Sequence, residues 1–419
     1  VLEETLRRHP GAVLLCIADD IRICANGVAG VPVAKTLTAL AKERLQLDVV
    51  PHKSSAFSFD VSSGGAAAAA LGFQHAADGI VNVGTPIGTD AFVAAHLRRQ
   101  ADGACDAIRA ALDLPLTTQE RWAVLTKSQQ HALRHYQRVV EWGPLEDPDA
   151  QLHHAVMGAA CAILECALPD TLADDGAPHL TPSQDIQLLT PLRLGGMGLT
   201  AHNNAGTAQA AFLASSALAH RELLSSGASE QLLPFRGARG PGLEEDWREM
   251  VDVLHISAEH RDPTDAVIGR HIVTVQQQHL SAFQQEVHKV HLAMFAPAPG
   301  DTGAQRLYKT SQLARLHSVS CAASGAWLTA LPTGRRTTLF DGDFTMNAKL
   351  RLGISPDPPN AKAVVCLCGV PVLPDNIGHA MTCKSSSSGK TLRHDLMLNA
   401  WRLLVSRSGC SSSLEPTLK

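Results

Sequence analysis

The sequence contains no long apolar run, because no stretch of about eighteen apolar residues is present that would cross a membrane as a helix. Arg7 and Arg8 are not followed by the apolar core and cleavage site of a signal peptide. Both absences predict a soluble, intracellular protein with no membrane partner. The ten cysteines lack regular spacing, apart from one cluster near the C-terminus, which is typical of reduced thiols rather than of a disulfide framework.

The formal net charge of -4 is too small to indicate a nucleic-acid-binding protein by itself. The distribution of charge is more informative, because residues 303–419 carry 14 Lys and Arg against 6 Asp and Glu, whereas residues 1–302 carry 22 against 34. A basic C-terminal part favours a module that contacts phosphates. Uneven placement of solvated charges is the alternative explanation.

The ends of the sequence carry no closing elements. Strand-like sequence follows Val1 almost at once, and residues 411–419 stop without a further helix or strand. We therefore expect the 419 residues to be part of a longer protein, with two or three domains among them.

Two short β-prone runs flank an acidic pair near the N-terminus. Val13–Ile17 and Ile21–Cys24 enclose Ala18, Asp19 and Asp20, and this pattern predicts a β-hairpin. Two adjacent carboxylates at a hairpin tip project together, which suits them to hold a divalent cation. The alternative is that Asp is simply common in turns.

The other local patterns predict short strands first and then a long helical array. In the N-terminal part we predict a helix at Val33–Leu45, strands at Leu47–Val50, Ala56–Asp60 and Ile80–Val83, an irregular loop at Ser62–Ala70, and a turn at Gly84–Gly88. Helical spacing follows at Ala94–Leu112, Arg121–Val140 and Leu152–Leu164, with Asp90 suited to cap the first of these helices. Linkers are predicted at Pro169–Pro182, Arg236–Gly242 and Ala296–Gly303.

One helical stretch holds four side chains of types that bind metals. They are His153, His154, Cys161 and Cys166. Small thiols are more often buried in helices than bound to a metal, so we predict buried cysteines here rather than a metal site.

The cysteine cluster near the C-terminus carries the strongest chemical signal. Cys366 and Cys368 are followed, after ten residues, by His379 and Cys383. Three thiolates and one imidazole complete a closed tetrahedral site, which predicts a structural Zn²⁺ ion. Gly369 permits the tight turn that brings the first two thiolates to one ion. A set of unliganded thiols is the alternative, because the Cys-x-Cys spacing is shorter than is usual.

With these features the sequence resembles the reverse transcriptases of non-LTR retrotransposons. Ile17–Asp20 stands where the family has an aromatic residue, any residue and two aspartates. Pro51–Ser54 is similar to the following palm motif, and Val83–Gly88 with Phe92-Val93 is similar to the primer grip and thumb entrance. The resemblance implies an α+β fold: a partial palm of short antiparallel strands with a helix, a mainly α-helical thumb and connector, and a small zinc knuckle.

The resemblance also implies a catalytic role for three residues. Asp19 would bind a catalytic Mg²⁺ ion, Asp20 would support it, and Lys53 would approach the departing pyrophosphate as a charge stabiliser or proton donor. An ordinary exposed turn lysine is the alternative for Lys53. The family's other essential carboxylate lies on an earlier palm strand, which the 419 residues do not include. One acidic pair does not enclose two Mg²⁺ ions, so we expect the chain as given not to polymerise DNA.

Later segments are similar to the same family. Leu133–Arg138 resembles a His-x-x-Arg segment of the thumb. Pro191–Leu199 resembles a glycine-rich turn, which we expect to be structural, with Leu194, Met197 and Leu199 packed beneath it. The Cys-Cys-His-Cys cluster and Arg393–Asp395 resemble the knuckle that precedes a restriction-like endonuclease, whose own metal-binding residues would lie beyond the last residue given.

The resemblance implies four parts: palm at 1–95, helical thumb and connector at 96–300, a basic linker at 301–362, and the knuckle with the nuclease entrance at 363–419. The expected function is that of part of a nuclear RNA-directed DNA polymerase, with an RNA template and a DNA target or product as partners and with Mg²⁺ and Zn²⁺ as cofactors. The alternative is a zinc-stapled helical nucleic-acid-binding or scaffold protein without catalytic activity, in which Asp19 and Asp20 form only a turn.

Overall fold

The computed structural model describes residues 1–17, 20–25, 27–167, 179–200, 205, 208–209, 211–212, 215, 281–321, 324–333, 338–354, 364–365, 368–369 and 371–372. The chain forms two compact units that alternate along the sequence. The first consists of Val1–Leu114, Val124–Ala159 and Thr200–Glu286, and the second of Pro115–Ala123, Ala160–Leu199 and Val287–Lys419. The described elements are mostly helices, with a few two-stranded sheets. This agrees with the predicted α+β class, whereas the palm and the zinc knuckle remain predictions.

The first unit starts with a hairpin held between two helices. Its elements are α1 (Leu2–Arg8), β1 (Val13–Ile17), β2 (Asp20–Cys24) and α2 (Gly30–Leu45). The predicted hairpin and the predicted helix over Val33–Leu45 are confirmed. Apolar residues at spacings of three and four form the buried face of α2; they include Val33, Leu37 and Leu40.

The chain after α2 contains more helix than predicted. The stretch predicted as an irregular loop is α3 (Val61–Leu71), because Asp60 accepts a hydrogen bond from the backbone N–H of Ser62 as an N-cap and the alanine run has high helix propensity. The predicted strand at Leu47–Val50 is wrong, since Leu47 is exposed and the segment has no regular structure. The strand predicted over Ala56–Asp60 is reduced to β3 (Ser55–Ala56), which pairs in parallel with β4 (Gln74–His75).

A second hairpin leads into the longest helix. β5 (Gly79–Asn82) and β6 (Thr85–Gly88) pair antiparallel, which confirms the strand predicted at Ile80–Val83. The turn predicted over Gly84–Gly88 is wrong for four of its five residues: only Gly84 lies in the turn, because Thr85–Gly88 already forms β6. The helix α4 (Asp90–Asp113) is capped by Thr89, whose side chain accepts from Phe92 N at 3.3 Å. Asp90 is therefore the first helical residue and not the cap that we predicted.

Three more helices follow, with a break where none was predicted. They are α5 (Thr118–Lys127), α6 (Tyr136–Val139) and α7 (Trp142–Leu164). The continuous helix predicted over Arg121–Val140 is wrong, because the chain turns between α5 and α6. Gln130 in this turn is buried, and its side-chain oxygen accepts from Thr200 N at 2.6 Å. That long-range bond holds the break.

The second unit continues with short helices and a small hairpin. Its later elements are α8 (Pro182–Leu189), α9 (Gly303–Val319), α10 (Ala326–Thr329), α11 (Asp341–Leu352), β7 (Val364–Val365) and β8 (Pro371–Val372). A further helix covers residues 281–294, of which residues 287–294 belong to this unit. The chain between this helix and α9 is irregular, as expected for the linker predicted at Ala296–Gly303. The linker predicted at Arg236–Gly242, and most of the one at Pro169–Pro182, lie outside the described residues.

An aromatic cluster forms part of the core of the second unit. Trp122 and Trp327 both pack against Phe344, with ring centroids 6.3 Å and 5.3 Å away. Trp122 and Phe344 are almost fully buried. Among the helices described in either unit, none is long and apolar enough to cross a membrane.

Candidate functional site

Asp20, the second residue of the acidic pair, begins the second strand of the first hairpin. Strands β1 and β2 pair in a register that sets Val13 opposite Cys24 and Ile17 opposite Asp20. The connection is therefore only two residues long, and Asp20 is the first residue of β2 rather than part of the turn. The position of Asp19 and the side chain of Asp20 lie outside the described residues, so their role as Mg²⁺ ligands remains a prediction.

Lys53 lies on a short 3-10 helix, Pro51–Lys53, in the first unit. A side-chain bond from Gln74 Nε2 to the carbonyl of His52, at 2.8 Å, fixes this turn. Lys53 is exposed. The position of Asp19 and the side chain of Asp20 lie outside the described residues, so the catalytic role predicted for Lys53 together with the acidic pair stays a prediction.

The two hairpins of the first unit are joined by one polar contact. Arg22, in the middle of β2, donates from Nε to Oδ1 of Asn82 at the end of β5, at 3.0 Å. The two residues are 60 positions apart in the sequence. This bond links the strand that follows the acidic pair to the turn of the second hairpin.

The turn of the second hairpin has an unusual backbone. Val83 and Gly84 both have positive φ angles, 50° and 80°, as the tightest hairpin turns require. Thr85, which follows, forms a 3.2 Å hydrogen bond between its Oγ1 and Nε2 of His135. The structure therefore brings Val83–Gly88 into contact with Leu133–Arg138.

His135 packs against Tyr136, which forms a buried pair with His96. The hydroxyl of Tyr136 and Nε2 of His96, on α4, are 3.2 Å apart. Burial, and then the charge of Arg99, lower the pKa of His96, so this histidine stays neutral at pH 7. His135 and Arg138 are exposed. We call the surface formed by Thr85, His135, Arg138 and Arg99 the His135 surface.

The glycine-rich turn of the second unit is closely packed. Gly195 and Gly198 have φ angles of 86° and 82°, which confirms the prediction that glycine is needed for the turn. Met197 and Leu199 are buried as predicted. Leu194 is only half-buried, because it lies in a 3-10 turn at the edge of the segment.

Arg351 attaches this turn to the rest of the second unit. Its guanidinium donates to the carbonyls of Gly196 at 3.0 Å, Leu192 at 3.3 Å and Val319 at 3.1 Å. Burial lowers the pKa of Arg351 to about 10. The arrangement satisfies backbone carbonyls around a buried side chain, which supports the structural role predicted for the glycine turn.

The cysteine cluster begins in a small hairpin. Strands β7 and β8 pair with Val364 opposite Val372 and Val365 opposite Pro371, and Cys368 and Gly369 lie in a turn between them. Gly369 has a φ of 83°, as predicted for a tight turn, and Cys368 is exposed.

Most of the predicted zinc site is beyond what the structure describes. Cys366, His379 and Cys383 lie outside the described residues, so their geometry is not known. Within the described segments, no group of three or more His, Cys, Asp or Glu side chains is placed to hold a metal ion.

Comparison with known proteins gives no identification. No family model matches the chain, and no curated protein or solved structure shows significant similarity to it. The contacts that build the His135 surface also have no signal in the sequence, because each joins residues 40 or more positions apart.

Proposed function

We propose that the first unit belongs to an RNA-directed DNA polymerase of the non-LTR retrotransposon type, and that its His135 surface holds the nucleic-acid duplex. The single observation that carries this proposal is the bond between Thr85 and His135. It joins two segments, each of which resembles a different nucleic-acid-contacting part of that family.

The chemistry of the surface suits a phosphate backbone. Arg138 and Arg99 supply positive charge, while the hydroxyl of Thr85 and the ring of His135 supply hydrogen-bonding groups. Contacts of this kind to phosphates position a duplex without reading its sequence. The neutral His96 and its partner Tyr136 keep α4 and the thumb-like segment in a fixed relation.

The metal chemistry belongs to the acidic hairpin. Asp19 and Asp20 would hold a Mg²⁺ ion, which would supply electrostatic stabilisation for phosphoryl transfer. The register of β1 and β2 supports this role, since it leaves two residues between the strands and makes Asp20 the first residue of β2.

The C-terminal hairpin would carry the zinc module. Cys366 and Cys368 would supply thiolates from the turn, and His379 and Cys383 would complete the site, which is structural because no coordination position remains open. The turn geometry of Gly369 supports this arrangement. The basic composition of residues 303–419 suits the module to contact phosphates.

A binding experiment tests the His135 surface. Affinity for a labelled RNA–DNA duplex is measured by fluorescence anisotropy over a range of salt concentrations, for the wild type and for Arg138→Gln. We expect Arg138→Gln to bind several-fold more weakly and to lower the slope of log affinity against log salt by about 1, because one phosphate contact is lost.

The matched control is Arg109→Gln, which removes the same charge from the exposed side of α4, where Arg109 pairs with Asp106 at 2.8 Å. It should bind almost as the wild type does. Equal behaviour of the two variants would refute the role of the His135 surface, since net charge alone would then explain binding.

The second candidate is a zinc-stapled helical nucleic-acid-binding or scaffold protein without catalysis. The position of Lys53 on an exposed 3-10 turn favours it, because an ordinary turn lysine has this exposure. Manganese binding, measured by electron paramagnetic resonance, separates the candidates. Loss of a bound ion in an Asp19→Asn, Asp20→Asn double variant supports the polymerase, whereas identical binding by wild type and variant supports the second candidate.

A further inference from the structure

The C-terminal end of α7 is closed by a backbone motif that sets two cysteines against each other. The N–H of Cys166 donates to the carbonyl of Cys161 at 3.0 Å, and the N–H of Glu165 donates to the carbonyl of Ala162 at 3.3 Å. Glu165 has a φ of 51°. This pair of bonds around a left-handed residue is the Schellman motif, in which the first and last residues of the bonded turn also contact each other through their side chains.

Those two positions usually hold apolar side chains, and here both are cysteine. Cys161 and Cys166 are 4% and 8% exposed, which confirms the burial predicted from the helical pattern. Their thiols form a hydrogen bond with each other. The turn at the end of α7 therefore brings the two cysteine side chains close together.

The environment makes the two thiols unequal. The hydrogen bond with Cys161 lowers the pKa of Cys166, and the nearby ammonium of Lys349 lowers it further. Donating that hydrogen bond, together with burial, raises the pKa of Cys161. The ammonium of Lys349, which its ion pair with Glu165 holds next to Cys166, favours the thiolate of Cys166, and a thiolate is the form of cysteine that reacts with oxidants.

A partner from another helix holds the motif. Lys349, on α11, forms a 3.2 Å ion pair with Glu165, and the lysine side chain is only 9% exposed. A residue other than glycine is disfavoured at positive φ. The ion pair helps to keep Glu165 in that conformation, and it places the positive charge next to Cys166.

We propose that Cys161 and Cys166 are a redox-active pair that closes to an intrachain disulfide when a small peroxide reaches it. The Cys166 thiolate attacks one oxygen of the peroxide, which becomes Cys166–SOH and releases hydroxide. The sulfur of Cys161 then attacks the sulfenic sulfur and forms the S–S bond, and the sulfenic oxygen leaves with the Cys161 proton as water. The proton that Cys166 lost when it ionised converts the first hydroxide to the second water. In total, two thiols are oxidised and one hydrogen peroxide is reduced to two waters.

The sequence offers a direct readout. Trypsin cuts after Arg138 and Arg193, and no Lys or Arg lies between them, so residues 139–193 form one peptide that contains Cys161, Cys166 and no other cysteine. The folded full-length chain is treated with hydrogen peroxide, alkylated with iodoacetamide, digested and analysed by mass spectrometry. We expect the peptide to become about 2 Da lighter than its fully reduced form and to take up no alkyl group.

The control for the role of the fold is a synthetic peptide of residues 139–193 under the same treatment. The folded chain should form the disulfide at least several-fold faster, because the Schellman motif holds the thiols together. Two alkylated cysteines in the treated protein, or a rate equal to that of the free peptide, would overturn the proposal.

Single variants test the order of the two sulfurs. Cys161→Ser should accumulate a sulfenic acid at Cys166 that dimedone traps, whereas Cys166→Ser should leave Cys161 largely unreacted. Lys349→Met should slow oxidation several-fold. Glu165→Gly separates the ion pair from the backbone motif: glycine suits the left-handed position, so the motif remains while the ion pair is removed. Equal trapping at both sulfurs would show that Cys166 is not the reactive thiol and would remove the proposed mechanism.

Discussion

Replacing Gly196 by alanine tests whether the glycine turn depends on a close approach of two backbone segments. A Cβ atom at Gly196 would lie 1.8 Å from the carbonyl oxygen of Thr190 and 2.3 Å from its carbonyl carbon. These atoms belong to a hydrogen-bonded backbone, because Thr190 O accepts from Gly198 N at 3.0 Å and Thr190 N donates to Gln187 O at 3.3 Å. No side-chain rotation relieves the clash, so the backbone has to move.

The size of the effect follows from what that movement disturbs. Forcing extra volume into a packed site costs about 1–3 kcal/mol. The shift also weakens the bond from Arg351 to the carbonyl of Gly196, which is 3.0 Å long, and a hydrogen bond from a charged donor contributes about 1.5–3 kcal/mol. We expect Gly196→Ala to lose about 3 kcal/mol of unfolding free energy, which corresponds to a fall in Tm of about 6–12 °C for a unit of this size.

Tryptophan fluorescence during urea and thermal unfolding measures the change, because Trp122 and Trp327 pack against Phe344 in the same unit. The matched control is Gly342→Ala in α11, where an added Cβ has no atom within 4 Å. Alanine should stabilise that helix by about 0.5–1 kcal/mol. If Gly196→Ala melts within about 2 °C of the wild type, the close approach at Thr190 is not a feature of the folded protein.

Three further predictions concern pH, backbone strain and zinc. Burial, followed by the charge of Arg315, lowers the pKa of His291 from 6.5 to about 4. The unfolded chain therefore takes up this proton first, and we expect about 2 kcal/mol of stability to be lost between pH 7 and pH 5, with a flatter pH dependence of urea unfolding in His291→Asn. Val83→Gly should raise the stability of the first unit by about 1 kcal/mol, because it relieves positive φ at a β-branched residue that is 57% exposed; an unchanged or lower Tm by circular dichroism would contradict this. Elemental analysis should find about one zinc ion per chain, and full zinc occupancy in Cys383→Ser would reject the proposed ligand set.

Local patterns predicted some elements well and failed at others for identifiable reasons. Two β-prone runs that flank a short segment of turn-favouring residues are typical of a hairpin, so Val13–Cys24 was predictable. The stretch at Ser62–Ala70 was mistaken for a loop because glycines and serines precede its alanines. The cap at Asp60 and the helix propensity of alanine outweigh them.

The candidate site was predictable only in its parts. Of the acidic pair, only the backbone of Asp20 is described, and it begins the second strand of the predicted hairpin. The role predicted for Lys53 depends on the order of motifs along the chain, which does not set distances in space. The structure shows Lys53 on an exposed 3-10 turn, and its catalytic role stays a prediction.

The short-range features could be predicted from the sequence, because they depend on residues only a few positions apart. They are the first hairpin, the buried face of α2, and the turns in which glycines 195, 198 and 369 have positive φ angles. The contacts of Thr85 with His135, 50 residues away, and of Lys349 with Glu165, 184 residues away, are visible only in the tertiary structure. Such contacts depend on how whole helices pack, and the packing is a property of the complete core rather than of any one segment.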